Sequence, residues 1–148
     1  VDQLMRTATQ VYDVVLVDMP QVWTEWSVRA LQRADIILMV MNLSVPGVYQ
    51  ARRQLELIEA NGLAARLRIL ANRVPVSLLG RKAGTKETEA VLGRRIDFTV
   101  ANDYPGMSAA GDEGVVLKDA RASARLIKDI NELAAQLSES LAAEAGPQ

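Results

Sequence analysis

The sequence predicts an α/β fold, a mainly parallel sheet flanked by helices, and three observations carry that reading. Val14 to Val17 and Ile36 to Met41 are unbroken apolar runs bounded by polar residues, the mark of strands buried on both faces. Between such runs lie amphipathic stretches such as Val48, Ala51, Leu55 and Ile58, with apolar residues every three or four positions. Polar residues then stand at the same end of three strands: Asp18, Asn72 with Arg73, and Asn102 with Asp103. Strands alternating with helices of this length make βαβ units, and ligands of such sheets bind outside the carboxyl ends of the strands.

Taken in order, the chain opens at Val1 within what reads as a helix ending near Gln10, so a piece of a longer protein is expected. Tyr12 to Pro20, YDVVLVDMP, is the first strand, stopped by Pro20, with Asp18 at its carboxyl end. There Asp18 either meets a metal ion or phosphate or caps the following helix. That helix holds Trp23, Ser27, Ala30 and Leu31 on one side, with Trp26 beside them. The two tryptophans either pack on the sheet or meet a partner. Ile36 to Met41 is the second strand, and Pro46 opens a helix whose apolar stripe runs to the Asn61-Gly62 stop.

Leu67 to Val74, LRILANRV, is the third strand and places Asn72 and Arg73 at the ligand edge. Pro75 to Thr85 reads as a loop, Lys86 to Leu92 as a short helix ended by Gly93, and Ile96 to Val100 as a short strand near a sheet edge. That strand delivers Asn102 and Asp103. Tyr104 to Gly114 reads as a loop with a short helical turn. The last helix spans about Asp119 to Leu141, where Leu126, Ile130, Leu133, Leu137 and Leu141 repeat by three and four. Ala142 to Gln148 reads as a frayed tail.

Composition limits the chemistry. The 148 residues suit one domain, and a net charge of -1 leaves no electrostatic footprint for nucleic acid. There is no Cys and no His, which excludes thiolate and imidazole metal sites, Ser-His-Asp triads and disulfides. No apolar run approaches the roughly 20 residues of a spanning helix, and the N-terminus lacks a signal-peptide pattern; a cytoplasmic protein is expected.

Four segments together carry a resemblance: YDVVLVDMP, then ADIILMVMNLSVPGVYQARRQLELI, then LRILANRV, then FTVANDYPGMSAAGDEGVVL before the last helix. In this order and spacing the chain resembles the C-terminal two thirds of a ParA/MinD-type P-loop ATPase. Within that superfamily it is most similar to the CpaE/TadZ proteins of Flp/Tad pilus assembly. The resemblance implies a three-layer P-loop NTPase sandwich without its N-terminal phosphate-loop unit, covering residues 1–141. It further implies Asp18 as the Walker B carboxylate that holds Mg²⁺ through water, and Asn72 as the amide that reads adenine. Asn102 and Asp103 would border that base. ATP with Mg²⁺ is thus the implied cofactor of the full-length protein, and a homodimer and other pilus-assembly proteins are the implied partners. Recruitment to a cell pole or the inner membrane would run through those partners.

Departures from the family pattern bear on activity. No GxxxxGK[ST] stretch occurs in these residues, so ATPase activity requires a phosphate loop supplied from outside them. Gln21 and Val22 stand where the family has a glycine that approaches the γ-phosphate, and Ala101 replaces the proline of a Pro-x-Asp segment. The final LSESLAAEAGPQ carries two glutamates and no Lys or Arg, so no direct membrane anchor of the MinD kind is expected there. Two rival readings remain at this point. One is a non-catalytic scaffold or localisation module that keeps the ATPase fold. The other is a response-regulator receiver domain, whose phosphoacceptor Asp lies one residue further from Met-Pro and which needs an acidic pair that Val1 to Val11 does not supply.

Overall fold

The computed structural model describes residues 2–75, 84–119 and 122–145. The predicted loop at Pro75 to Thr85 therefore lies mostly outside the described residues, as do the last three residues of the tail. The helices are α1 (Asp2–Val11), α2 (Glu25–Arg33), α3 (Val45–Ala60), α4 (Thr85–Leu92), α5 (Tyr104–Glu113) and α6 (Ala124–Ala145). Among the described residues three strands, β1 (Ile37–Asn42), β2 (Leu67–Val74) and β3 (Phe98–Ala101), form one sheet in the order β1-β2-β3, parallel throughout.

Two apolar clusters hold helices to opposite faces of this sheet. On one face Ile37, Met41, Leu67 and Ile69 meet Val48, Ala51, Leu55 and Ile58 of α3 and Leu92 of α4. On the other, Leu70 and Val100 meet Leu126 of α6, with Leu38, Phe98, Ile130 and Leu133 packed around them. The alternation of side chains along β2 explains the split, since Leu67 and Ile69 point one way and Leu70 the other. Ile69 is fully buried and Leu67 nearly so, which marks β2 as the centre of the layers.

Local chemistry sets the helix ends. Thr24 and Ser27 form a reciprocal capping box at the start of α2. The Ser44 hydroxyl accepts from the Gly47 amide at 3.1 Å at the start of α3, with Pro46 in the first turn. At the other end of the sheet, Arg66 Nη1 donates to the carbonyls of Gln32 and Ala34 at 2.9 and 3.1 Å, closing the end of α2. Asp97 Oδ2 accepts from the Ile69 amide at 2.7 Å, and Glu89 Oε1 accepts from the Ile96 amide at 2.8 Å. The amino edge of the sheet thus spends its polar side chains on structure.

Several expectations are corrected. Tyr12 to Asp18 is not a strand: residues 12–24 have no regular structure, and Tyr12, Val14, Leu16 and Val17 are exposed, Leu16 at 90%. A strand needs a neighbour to complete its hydrogen-bond ladder, and none of the described strands pairs with this run. Asp18 does not cap the next helix either, because Thr24 does.

The second apolar run is a strand but is not buried on both faces, since Val40 is 56% exposed on the outermost strand β1. Tyr104–Glu113 is a ten-residue helix rather than a loop with a short helical turn. Asp103 caps it, Pro105 sits in its first turn, and Gly114 ends it at φ 65°. The last helix begins at Ala124, after a 3₁₀ turn at Leu117–Asp119, and continues through Ala145, so 142–145 is helix rather than frayed tail.

Candidate functional site

Parallel pairing brings the carboxyl ends of the strands together, and the last pair of the β1–β2 ladder is Asn42 with Asn72. Between β2 and β3 the register shifts after Ala71, so that Val74 pairs with Ala101 and the Asn102 amide donates to the Val74 carbonyl at 3.0 Å. Asn42, Asn72 and Asn102 therefore line one edge. Asn42 was read from sequence only as a strand stop; its position in the register adds it to the edge.

The shift has a local cause. Arg73 adopts φ 54°, left-handed backbone for a non-glycine residue, and its amide donates to the Asn72 Oδ1 at 2.8 Å. This bulge takes up the Asn72 carbonyl oxygen and leaves the Asn72 amino group with no partner among the described residues. Asn42 Oδ1 accepts from the Ser44 amide at 3.2 Å and the Ser44 hydroxyl at 2.5 Å, which likewise leaves its amino group outward. The edge thus presents amide donors.

Asp103 has a structural task at this edge. Its Oδ2 accepts from the Ser123 amide at 2.6 Å and its Oδ1 from the Gly106 amide at 3.2 Å. Those two backbone N–H groups, Ser123 first, hold its carboxyl below the usual carboxylate range. With both oxygens engaged, the carboxylate caps α5 and clasps the start of α6. Any contact with a ligand from this position falls to the backbone or to the exposed Asn102 side chain.

Asp18 lies apart in character: it is exposed, on the irregular segment that leads to Gln21. That segment is tied to α3. Gln50 Nε2 donates to Gln21 Oε1 at 2.9 Å, Gln54 Nε2 donates to the Gln21 carbonyl at 3.3 Å, and Trp23 Nε1 donates to Gln54 Oε1. Trp23 also packs on the apolar cluster beneath α3, as the packing alternative expects, while Trp26 is 39% exposed.

No group of three or more potential ligating side chains that could hold a metal occurs among the described residues. A lone exposed carboxylate such as Asp18 offers a single ligand, and Mg²⁺ generally completes its coordination with water and substrate phosphate oxygens. A groove of about 360 Å³ between α3 and α4, lined by Arg52, Glu56, Glu59 and Val91, lies on the helical face away from the asparagine edge. No described helix is long and apolar enough to cross a membrane.

No family model matches the chain, and no curated protein matches it. Among solved structures, the crystal structure of a ParA family ATPase from Chlorobium tepidum TLS superposes with a TM-score of 0.79 at 26% identity. The match covers 92% of this chain and 55% of that one, so the chain spans little more than half of its neighbour's length. The parallel sheet with helices on both faces is thus the fold of a ParA-type P-loop NTPase without its N-terminal part.

Proposed function

We propose that this chain is the C-terminal part of a CpaE/TadZ-like, ParA/MinD-type ATP-binding protein that acts in Flp/Tad pilus assembly and polar localisation. The observation that carries the nucleotide reading is the row of Asn42, Asn72 and Asn102 at the carboxyl edge of a parallel sheet with a ParA-type neighbour. The Asn72 amino group can donate to a ring nitrogen of adenine, and the second lone pair of its oxygen, beside the Arg73 bond, can accept from the adenine 6-amino group. In this reading Asn72 reads the base, Asn102 and the backbone at Asp103 border it, and Asp18 holds Mg²⁺ through water. The ion would supply charge neutralisation at the phosphates. The phosphate cradle comes from outside these 148 residues, which contain none. A second copy and other pilus-assembly proteins are the partners, and the protein works in the cytoplasm without a lipid anchor in this segment.

A second reading, a nucleotide-binding scaffold that does not turn ATP over, has one observation in its favour. Gln21, in place of the family glycine, is tied by hydrogen bonds to Gln50 and Gln54 of α3. A residue held there is less free to follow the γ-phosphate.

Both readings are tested on the intact protein. Magnesium-dependent ATP binding that weakens in Asp18→Ala is expected under either. Measurable phosphate release selects the ATPase; binding without release selects the scaffold. Binding that is the same with and without Asp18 contradicts both.

A further inference from the structure

The side chain of Asn102 stands in a segment tied at three successive residues, through the backbone at Ala101 and Asn102 and through the side chain at Asp103. The Ala101 amide donates to Asp129 Oδ2 at 2.9 Å, the Asn102 amide donates to the Val74 carbonyl at 3.0 Å, and Asp103 Oδ2 accepts from the Ser123 amide at 2.6 Å. Two of these three grips come from α6 and the residue that precedes it. Asp129, in the second turn of α6, is only 8% exposed, and its other oxygen accepts from Arg125 Nε at 3.1 Å. Arg125 is about half exposed, so the ion pair runs from solvent into the layer between α6 and β3.

Burying a carboxylate to satisfy one backbone amide is a poor route to stability, because desolvation of the charge offsets much of the gain. A charged acceptor does shorten and strengthen the bond, and it fixes direction through both oxygens. The result is an exposed amide side chain on an immobilised backbone, the arrangement that preorganises a binding group.

We propose that Asp129 is a positioning residue for the base-binding edge. It acts through Ala101, holds Asn102 where its amide meets the nucleotide base, and makes the N-terminal half of α6 one rigid unit with that edge. Asp129 itself does not touch the nucleotide. Arg125 orients the Asp129 carboxylate from the solvent side. The role rests on the reading of Asn102 as a base contact given above.

The test compares Asp129→Ala, Asp129→Asn and Arg125→Gln in the intact protein by two measurements. The first is amide hydrogen exchange at Ala101 and Asn102 without nucleotide; the second is the ratio of dissociation constants for ATP and GTP. In Asp129→Ala, exchange at these amides is expected to rise about ten-fold or more, as loss of a charge-assisted hydrogen bond implies. The ATP preference should fall with it. Asp129→Asn keeps an oxygen that can accept from Ala101 and is expected to recover most of both. Arg125→Gln, a surface change that leaves the core in place, should produce the same shifts in weaker form.

A Leu133→Ala control, which loosens α6 packing without touching the clasp, should lower thermal stability and leave the ATP/GTP ratio unchanged. Unchanged exchange in both Asp129→Ala and Arg125→Gln overturns the proposal, and so does faster exchange with an unchanged ratio. Should Asn102→Ala itself leave the ratio unchanged, the base-site reading is what fails, while the exchange data still decide whether Asp129 fixes the loop.

Discussion

Asn42 and Asn72 are Cα partners at the last position of the β1–β2 ladder, so two amide side chains leave the same edge of the sheet side by side. In Asn72 the carbonyl oxygen is taken by the Arg73 amide at 2.8 Å, and the amino group remains to meet a ligand. If this amide reads a base, Asn72→Ala in the intact protein removes one or two hydrogen bonds to adenine. The expected loss of preference for ATP over GTP is about two- to ten-fold, from a hydrogen bond worth roughly 0.5 to 1.5 kcal/mol. Competition binding with the two nucleotides measures it, and an unchanged ratio rejects the role.

The close approach of α3 to the end of β1 makes a second, structural prediction. A Cβ added at Gly47 would lie 2.1 Å from Asn42 Oδ1 and 2.8 Å from the Asn42 carbonyl oxygen. The second of these is backbone and cannot rotate away. Gly47→Ala should therefore destabilise the fold by about 1 to 3 kcal/mol, the usual range for overpacking. Gly111, inside α5 with open space around it, is the contrast: Gly111→Ala should stabilise by about 0.5 to 1 kcal/mol. Urea unfolding midpoints of the two variants should move in opposite directions.

Acid should open the Asp103 clasp. The carboxyl is held below its ordinary range by the Ser123 and Gly106 amides, so its folded pKa lies below its unfolded one. A depressed pKa contributes stability that is present above the unfolded value and is lost as pH falls through the folded value. Asp103→Asn can still accept hydrogen bonds but does not titrate, so its stability should fall less steeply on the acid side. Thermal melts from neutral pH down to about pH 2 check this, and identical acid limbs for the two proteins contradict it.

Much of this architecture can be read from residues alone, and the exceptions have physical causes. LRILANRV is a strand over its whole predicted length because β2 lies between two neighbours, and local pattern and tertiary burial agree there. Val14 to Val17 has an equally clear strand pattern but no ladder partner, and pattern cannot report a missing partner. The helix at Tyr104–Glu113 was hidden by Pro105, Gly106 and Gly111, residues that usually break helices. Pro105 falls in the first turn, where its missing amide costs nothing, and Gly106 is buried in the same turn with its amide capped by Asp103.

The site divides in the same way. Asn72 and Asn102 stand at the edge that strand ends alone predict, whereas the part played by Asn42 depends on register. The engagement of both Asp103 oxygens and the grip of Asp129 on Ala101 depend on where α6 begins. Sequence spacing across a 3₁₀ turn and a helix start does not specify that point.

The most direct test is calorimetric titration of residues 1–148 with ATP and Mg²⁺. In the proposed reading the chain offers asparagine amides for the base and Asp18 for the ion, and its sequence contains no GxxxxGK[ST] stretch for the phosphates. A few hydrogen bonds at roughly 0.5 to 1.5 kcal/mol each do not overcome the ~4 kcal/mol or more lost when a ligand is immobilised. The 148-residue chain should therefore bind ATP more weakly than about 1 mM and release no phosphate, whereas the intact protein is expected to bind ATP more tightly. Micromolar binding by residues 1–148 alone would show that the phosphates are held here, and would contradict a site completed from outside this chain.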